Sequence, residues 1–132
     1  MKLSEYFENT PGRGILATAD SDGKVNGAVY ARPHFIDDDT IAYIMADRLT
    51  HKNLQSNPHA AYIFMESKEG YDGKRLYLTK IKEDSNPELI ESMRRKKAYM
   101  PGKGLRFLVY FRIDKVLPLI GEKEKDGEGK TA

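Results

Sequence analysis

The first third of the chain alternates between short apolar patterns and turn-forming residues. Apolar residues recur at spacings of three and four near the N-terminus, which predicts a short helix that begins at Ser4 and ends near Pro11 and Gly12. Runs rich in β-forming residues then fill 14–20 and 24–30, separated by a short turn that contains an Asp-Gly pair. Such a pattern predicts a β-hairpin.

Strand-like and helix-like patterns alternate through the middle of the chain. A third apolar run, 40–45, follows three consecutive aspartates, and we expect it to complete an antiparallel meander with the hairpin. Residues 48–57 favour a short helix that stops before Pro58. Strand patterns return at 60–65 and 74–82. Apolar and polar residues alternate in 74–82, which places Leu76 and Leu78 on the covered side of the sheet. Ile81 would join them there after a shift of one residue in the alternation.

The last patterned region predicts one helix and one long strand. Asn86 and Pro87 suit a helix start, because asparagine caps helices and proline is tolerated at the first helical position. We expect this helix to run to about Lys97, with an apolar stripe of Leu89, Ile90 and Met93. Residues 105–116 are the most β-prone stretch.

These patterns add up to about six strands and three short helices. Six twisted antiparallel strands that must cover both a core and their edges tend to close into a small barrel. We therefore predict a mainly β fold, a six-stranded antiparallel barrel with helices packed at its openings. Residues 1–120 form one predicted domain, and 121–132, which contain no large apolar residue, form a predicted disordered tail.

Composition narrows the classes of protein that fit. None of the 132 residues is cysteine, which excludes disulfide scaffolds, thiolate metal sites and cysteine nucleophiles, and fits a reducing cytoplasm. No apolar run approaches ~18 residues, and the first residues do not resemble a signal peptide. We therefore expect a cytoplasmic protein without a membrane association. The histidines at 34, 51 and 59 are scattered, so no metal site is predicted.

One segment combines residues that suit an anion. Arg48, Thr50, His51, Lys52 and Asn53 lie at the start of the helix predicted over 48–57. The start of a helix offers unpaired N–H groups and a partial positive charge, so these residues are a candidate phosphate site. The alternative is structural: Thr50 caps the helix, and the two cations and His51 lie on a solvated surface.

Three segments in this order resemble the pyridoxamine 5′-phosphate oxidase-like FMN-binding split barrel family. They are Ile15–Gly23 (ILATADSDG), Ala31–Pro33 (ARP) and Arg48–Pro58 (RLTHKNLQSNP), and the resemblance covers roughly residues 3–119. It implies a split barrel that forms a homodimer, with two FMN sites built from both chains at the interface.

The resemblance also assigns roles to individual residues. Arg48, Thr50, Lys52 and Asn53 would hold the 5′-phosphate of FMN. The chain departs from the family pattern at Thr50, which stands where a lysine or arginine is usual, so Arg48 or Lys52 must supply the charge. A second group would border the isoalloxazine ring, with the arginine near its polar edge: Val29, Tyr30, Ala31, Arg32 and Pro33. Without the resemblance, the sequence fits a surface arginine at a turn as well as it fits an arginine at the flavin ring for Arg32.

Two further regions are candidates for contact with the partner's flavin or with an anionic substrate. The first is the glycine-rich link at 69–75 and the second is the basic zone at 94–112. The residues that we assign to this role are Tyr71, Arg75, Lys103 and Arg106. The interleaved cations and aromatics at 94–112 also fit nucleic acid, although such a run more often marks a solvated helix end.

The predicted function is that of a small oxidoreductase or electron carrier that works through FMN at a homodimer interface. No side chain stands out as a general acid, base or nucleophile, so the chemistry is assigned to the flavin. The alternatives are a barrel that binds deazaflavin or haem, a cofactor-free barrel, and a nucleic-acid-binding barrel that uses 94–112.

Overall fold

The computed structural model describes residues 2–94 and 104–122. These residues form three helices and seven strands. In chain order they are α1 (Leu3–Asn9), β1 (Gly12–Ala19), β2 (Val25–Tyr30), β3 (His34–Phe35), β4 (Thr40–Ala46), α2 (Leu49–Ser56), β5 (His59–Glu66), β6 (Gly73–Asp84), α3 (Pro87–Met93) and β7 (Arg106–Pro118).

The strands form one curled antiparallel sheet in the order β2-β1-β5-β6-β7-β4-β3. The predicted mainly β barrel with short helices is confirmed. The predicted count of six strands is one too low, because β3 consists of only His34 and Phe35, which pair with Ala42 and Ile41. A two-residue strand carries no periodic pattern that a sequence could reveal.

The hairpin of β1 and β2 is confirmed, but the predicted meander is wrong. β4 does not lie beside β2; it pairs with β3 and β7, while the second edge of β1 is taken by β5. The nine residues 31–39 between β2 and β4 exceed the length of a tight hairpin turn, so adjacency in sequence did not require adjacency in the sheet.

Aromatic residues dominate the core inside the curled sheet. Phe7 of α1 packs among Tyr62 and Phe64 of β5, and all three are almost fully buried. The Tyr62 hydroxyl donates to the Tyr30 carbonyl at 3.0 Å. Gly14 leaves the space that the Tyr62 ring occupies, because a Cβ there would overlap the ring and its hydroxyl. Close packing of this kind fixes how β1, β2 and β5 curl around the core.

The long strand β6 confirms part of the predicted alternation. Leu76 and Leu78 are buried, but Ile81 is 48% exposed, and its predicted burial is wrong. The reason is a bulge: Lys80 pairs with Phe111 and Lys82 pairs with Tyr110, which leaves Ile81 as the extra residue.

The helices α1 and α3 agree with prediction except at their ends. α1 begins at Leu3 rather than Ser4, with Lys2 as its N-cap. The side chain of Asn86 accepts hydrogen bonds from the N–H groups of Glu88 and Leu89, so the predicted cap of α3 is confirmed. The predicted stripe is confirmed by a small cluster against Ala42 and Leu108. α3 ends at Met93, short of the predicted Lys97.

Most of the predicted tail, 123–132, lies outside the described residues. Gly121, which the prediction placed in the tail, is buried, and its carbonyl accepts a hydrogen bond from Arg75. No helix in the described ranges has the length and apolar character needed to cross a membrane. The same ranges contain no group of three histidine or acidic residues placed to hold a metal ion.

Candidate functional site at the start of α2

The candidate phosphate site lies where β4 leads into α2. The N-cap of α2 is Arg48, whose backbone is extended. Thr50 is the second helical residue, so the alternative prediction that Thr50 caps the helix is wrong. α2 packs against β1, β2 and β4, and this contact holds the first turn at one end of the sheet.

The first turn of α2 presents donors that have no acceptor in the helix. The first intrahelical bond is the one that the Lys52 N–H donates to the Arg48 carbonyl at 3.0 Å. The three preceding N–H groups have no intrahelical partner. A serine or aspartate N-cap would accept from them, but the guanidinium of Arg48 only donates. No acidic residue lies in the turn, and Arg48 and Lys52 are exposed. The turn therefore favours an anionic ligand.

Thr50 and Asn53 point into the protein and bind the β1–β2 hairpin. Asn26 Nδ2 donates to Thr50 Oγ1 at 3.3 Å, and Asn53 Nδ2 donates to Thr18 Oγ1 at 3.1 Å. Thr18, Thr50 and Asn53 are all buried. These contacts fix α2 on the hairpin and occupy the side chains that the sequence assigned to the phosphate.

Tyr30 connects the strand predicted to border the flavin ring with the first turn of α2. Burial raises the pKa of Tyr30, while its hydrogen bond with Thr50 and the charge of Arg48 lower it, and burial prevails. Its ring packs edge-on against Tyr43 in the core. Tyr30 therefore faces inward, as a neutral hydroxyl beside Thr50.

His51 is buried, which overturns its interpretation as a surface residue. It is 7% exposed, and its ring stacks on Phe107 with centroids 3.7 Å apart and planes 8° apart. Its Nε2 lies 3.0 Å from Oε2 of Glu83 at the end of β6. The sequence pattern placed Phe107 only among the aromatics of the basic zone at 94–112 and gave no sign of Glu83. The available signal was that Thr50, His51, Asn53 and Leu54 occupy one face of a helix, with Leu54 marking that face as buried.

The five residues predicted to border the ring do not form one wall. Val29 is 76% exposed and Ala31 is exposed, whereas Tyr30 turns inward and Pro33 is buried. Arg32 forms a 3.5 Å ion pair with Glu8 of α1. This segment thus reaches the first turn of α2 through Tyr30 and reaches α1 through Arg32.

A cavity of about 240 Å³ adjoins the Arg32–Pro33 segment. It is lined by one face of α1, by β3 with the proline before it, and by the end of α3: Ser4, Phe7, Glu8, Pro33, His34, Phe35 and Met93. Phe7 and Phe35 supply two of its aromatic walls, with centroids 6.0 Å apart. His34, which the sequence left as a scattered histidine, belongs to this cavity and not to the first turn of α2.

The residues predicted to reach a partner lie at three different places. Tyr71 is exposed in the link between β5 and β6. Arg75 donates to the carbonyls of Pro118 and Gly121, and so ties the end of β7 to β6. Arg106 lies opposite Ala46, at the strand end that leads into α2. Lys103 is outside the described residues, as are positions 95–103 of the basic zone.

The fold is similar to several solved structures. An FMN-binding protein from Syntrophomonas wolfei subsp. wolfei is 23% identical with a TM-score of 0.70, over 89% of this chain and 84% of that one. A Listeria innocua protein named "putative pyridoxamine 5′-phosphate oxidase" is 13% identical with a TM-score of 0.67, over 89% and 95%. An FAD-binding protein from Mesorhizobium loti is 14% identical with a TM-score of 0.60, over 86% and 88%. No protein-family model and no curated protein matches the chain.

These similarities extend over most of each chain, and at such identities they concern the fold. They confirm the architecture that the three sequence segments implied. The chain has the split-barrel fold of the FMN-binding and pyridoxamine 5′-phosphate oxidase-like proteins.

Proposed function

We propose that the chain is a flavoprotein that binds FMN, with the 5′-phosphate at the first turn of α2. The observation that carries this proposal is the arginine at the N-cap of α2, where an acceptor side chain is usual. The N–H groups without an intrahelical partner, Arg48 and Lys52 together provide donors and positive charge for a phosphate dianion. The shared fold with an FMN-binding protein supports the choice of ligand.

The exposed part of the β2 segment supports a place for the ring. Val29 and Ala31, the residues on either side of Tyr30 in the chain, offer exposed aliphatic surface. When bound, FMN would supply hydride or electron transfer. The protein's part is to bind the phosphate, to cover the apolar ring and to place positive charge near it. A small oxidoreductase or electron carrier is the function that fits these roles.

The proposal includes a homodimer, because β2, β1 and β5 expose a group of aliphatic side chains on the outer face of the sheet. Ile15 lies opposite both Val29 and Ile63, and Ala17 lies opposite Ala61. Residues directly opposite each other share a face, so these side chains form one continuous surface across β2, β1 and β5. An exposed apolar surface of this kind marks an interaction site.

A second copy of the chain is the occupant that we propose for this surface. Val29 belongs both to the outer face and to the segment that would border the ring. A second copy on this face would therefore close the ring's crevice, which one chain leaves open. The absence of cysteine fits the reducing cytoplasm, where we place the protein.

The test is to identify and measure the bound cofactor. Mass spectrometry of ligand released from the purified protein should give FMN. Release of a deazaflavin, haem or FAD would contradict FMN as the cofactor. The double variant Arg48→Ala/Lys52→Ala should weaken FMN binding by about 1.5–3 kcal/mol for each charged hydrogen bond lost. Riboflavin, which lacks the phosphate, should bind the variant as it binds the wild type.

The matched control is Lys82→Ala/Arg112→Ala, which removes the same two charges from β6 and β7. It should leave the affinity for FMN unchanged. FMN binding that is equal in both double variants would contradict the phosphate site. Colourless protein whose affinity for oligonucleotides falls steeply with salt would favour the nucleic-acid alternative.

A further inference from the structure

A charged cluster binds the flank of α2 that carries His51 and Gln55. Glu83, near the end of β6, accepts from His51 Nε2 at 3.0 and 3.1 Å and from Lys80 Nζ at 2.7 Å. Gln55 Nε2 donates to the same carboxylate at 3.0 Å. His51 and Gln55 belong to α2, so one carboxylate joins two consecutive turns of the helix to the sheet.

The contacts determine where the proton of His51 lies. Burial raises the pKa of Glu83, but the hydrogen bonds from Lys80, Gln55 and His51 outweigh it and lower the pKa to about 2. Glu83 is therefore a carboxylate that only accepts, and Nε2 of His51 must carry a hydrogen. The two hydrogens of the Gln55 amide go to Glu83 and to the His51 carbonyl.

Stacking fixes the imidazole from a second direction. Its plane lies nearly parallel to the Phe107 ring, while Glu83 binds its edge. Phe107 is the second residue of β7 and lies opposite Met45, three residues before Arg48. The imidazole therefore has little freedom to turn toward a ligand at the first turn of α2.

The first turn of α2 is thus held from two sides. Asn26 and Thr18 bind Thr50 and Asn53 on the hairpin side, and Glu83 binds His51 on the other side. We propose that Glu83, acting through His51, sets the pose of this turn and so determines how strongly the site prefers a phosphorylated flavin over an unphosphorylated one. The inference rests on the proposed function. It makes His51 a positioning residue, in place of the direct phosphate contact that the sequence predicted.

The experiment compares FMN with riboflavin, because only FMN has the phosphate. Dissociation constants for both flavins are measured by fluorescence titration in the wild type and in Glu83→Gln. We expect the constant for FMN to rise about tenfold, equal to about 1.4 kcal/mol, and the constant for riboflavin to stay within about twofold. A merely structural role for Glu83 would lower the melting temperature without changing the ratio of the two constants.

Glu66→Gln is the matched control. Glu66 is also a partly buried carboxylate that accepts from a neutral donor and pairs with a lysine, but it lies at the opposite end of β5 from α2. Its variant should keep the ratio of the wild type. If Glu83→Gln does not fold, Phe107→Leu removes the stacking partner and should shift the ratio in the same direction. If riboflavin binds too weakly to titrate, the dissociation constants for FMN alone are compared. A rise in Glu83→Gln without a rise in Glu66→Gln supports the inference, and equal constants in the two variants contradict it.

Two results would overturn the inference in different ways. A wild type that binds FMN, together with an unchanged ratio in Glu83→Gln and Phe107→Leu, would overturn the positioning role alone. A wild type that binds neither flavin would overturn the proposed function, and the inference with it.

Discussion

Buried polar residues are the distinguishing feature of α2 at the scale of single side chains. Thr50, His51 and Asn53 all lie on its inner face, and each has a hydrogen-bond partner in a strand. A buried polar group is costly only when it lacks a partner, so these residues specify the position of the helix without destabilising it. The partners Asn26 and Glu83 thereby become part of the site.

The low pKa of Glu83 predicts a pH dependence of stability. Its pKa is about 2 in the folded protein, below its usual value of 4.5, so its contribution is fully present above about pH 5 and is lost as the pH falls toward 2. The full shift corresponds to about 3 kcal/mol. Solvent screening of a side chain that is 25% exposed reduces the expected contribution to about 1–2 kcal/mol.

Urea unfolding of the wild type and of Glu83→Gln between pH 5 and pH 2 measures this contribution. The wild type should lose about 1–2 kcal/mol more than the variant over that range. Equal losses in the two proteins would show that Glu83 is not stabilised in its ionised form.

At the scale of residues, the sequence predicted the positions of Arg48 and Lys52 but not the hydrogen-bond partners that hold the helix around them. Arg48 and Lys52 are exposed at the start of a helix, where the sequence placed them, because a local pattern of charges is enough to find a helix start. The pairs Thr50–Asn26 and His51–Glu83 join residues 24 and 32 positions apart. No local pattern encodes such pairs, since only the sheet brings the strands together.

At the scale of elements, α2 depends on its contacts with strands. A helix of eight residues is too short to be stable alone, so tertiary contacts must stabilise it. Helix and strand bounds were predicted to within a few residues, because hydrophobic periodicity marks them. The neighbours of β4 were predicted wrongly, because which strand pairs with which depends on packing partners far away in the sequence.

Asn53→Ala tests the dependence of α2 on the hairpin. It removes the hydrogen bond to Thr18 and leaves a buried hydroxyl with one donor fewer, so the free energy of unfolding should fall by about 1–3 kcal/mol. Leu49→Ala, an exposed change in the same helix, should have a much smaller effect. Denaturant melts at one protein concentration provide the comparison. A loss no larger than that of Leu49→Ala would mean that the Asn53 bond does not hold the helix.

At the scale of the whole molecule, the split barrel has two different surfaces. The inner surface is filled by the aromatic core, and the outer surface of β2, β1 and β5 exposes aliphatic side chains. A lone chain would leave that outer surface in water, which is the physical reason to expect a second copy. The resemblance implied a homodimer, and the exposed face indicates which surface it would use.

Val29→Lys places a charge on that face, on its edge strand β2, and should convert a dimer into a monomer. Sedimentation velocity measures the change, and FMN content should fall with it, because the second copy would close the ring's crevice. Ile36→Lys, at an exposed apolar position beyond β3, is the control and should remain a dimer. A wild type that sediments as an FMN-loaded monomer would refute the shared site.

The bulge in β6 has a consequence for how the chain tolerates change. Lys80 and Glu83 are separated by an odd number of positions, so in a regular strand their side chains would project to opposite faces. The supernumerary residue Ile81 cancels that parity, and the ammonium and carboxylate meet at 2.7 Å. Replacing Ile81 should therefore matter little. Deleting it should also be tolerated, because Lys80 and Glu83 would then be two positions apart in a regular strand, on the same face, with Glu83 still opposite Val109. This stretch therefore has to keep its spacing matched to its bulge, whereas the identity of the bulged residue is free to vary.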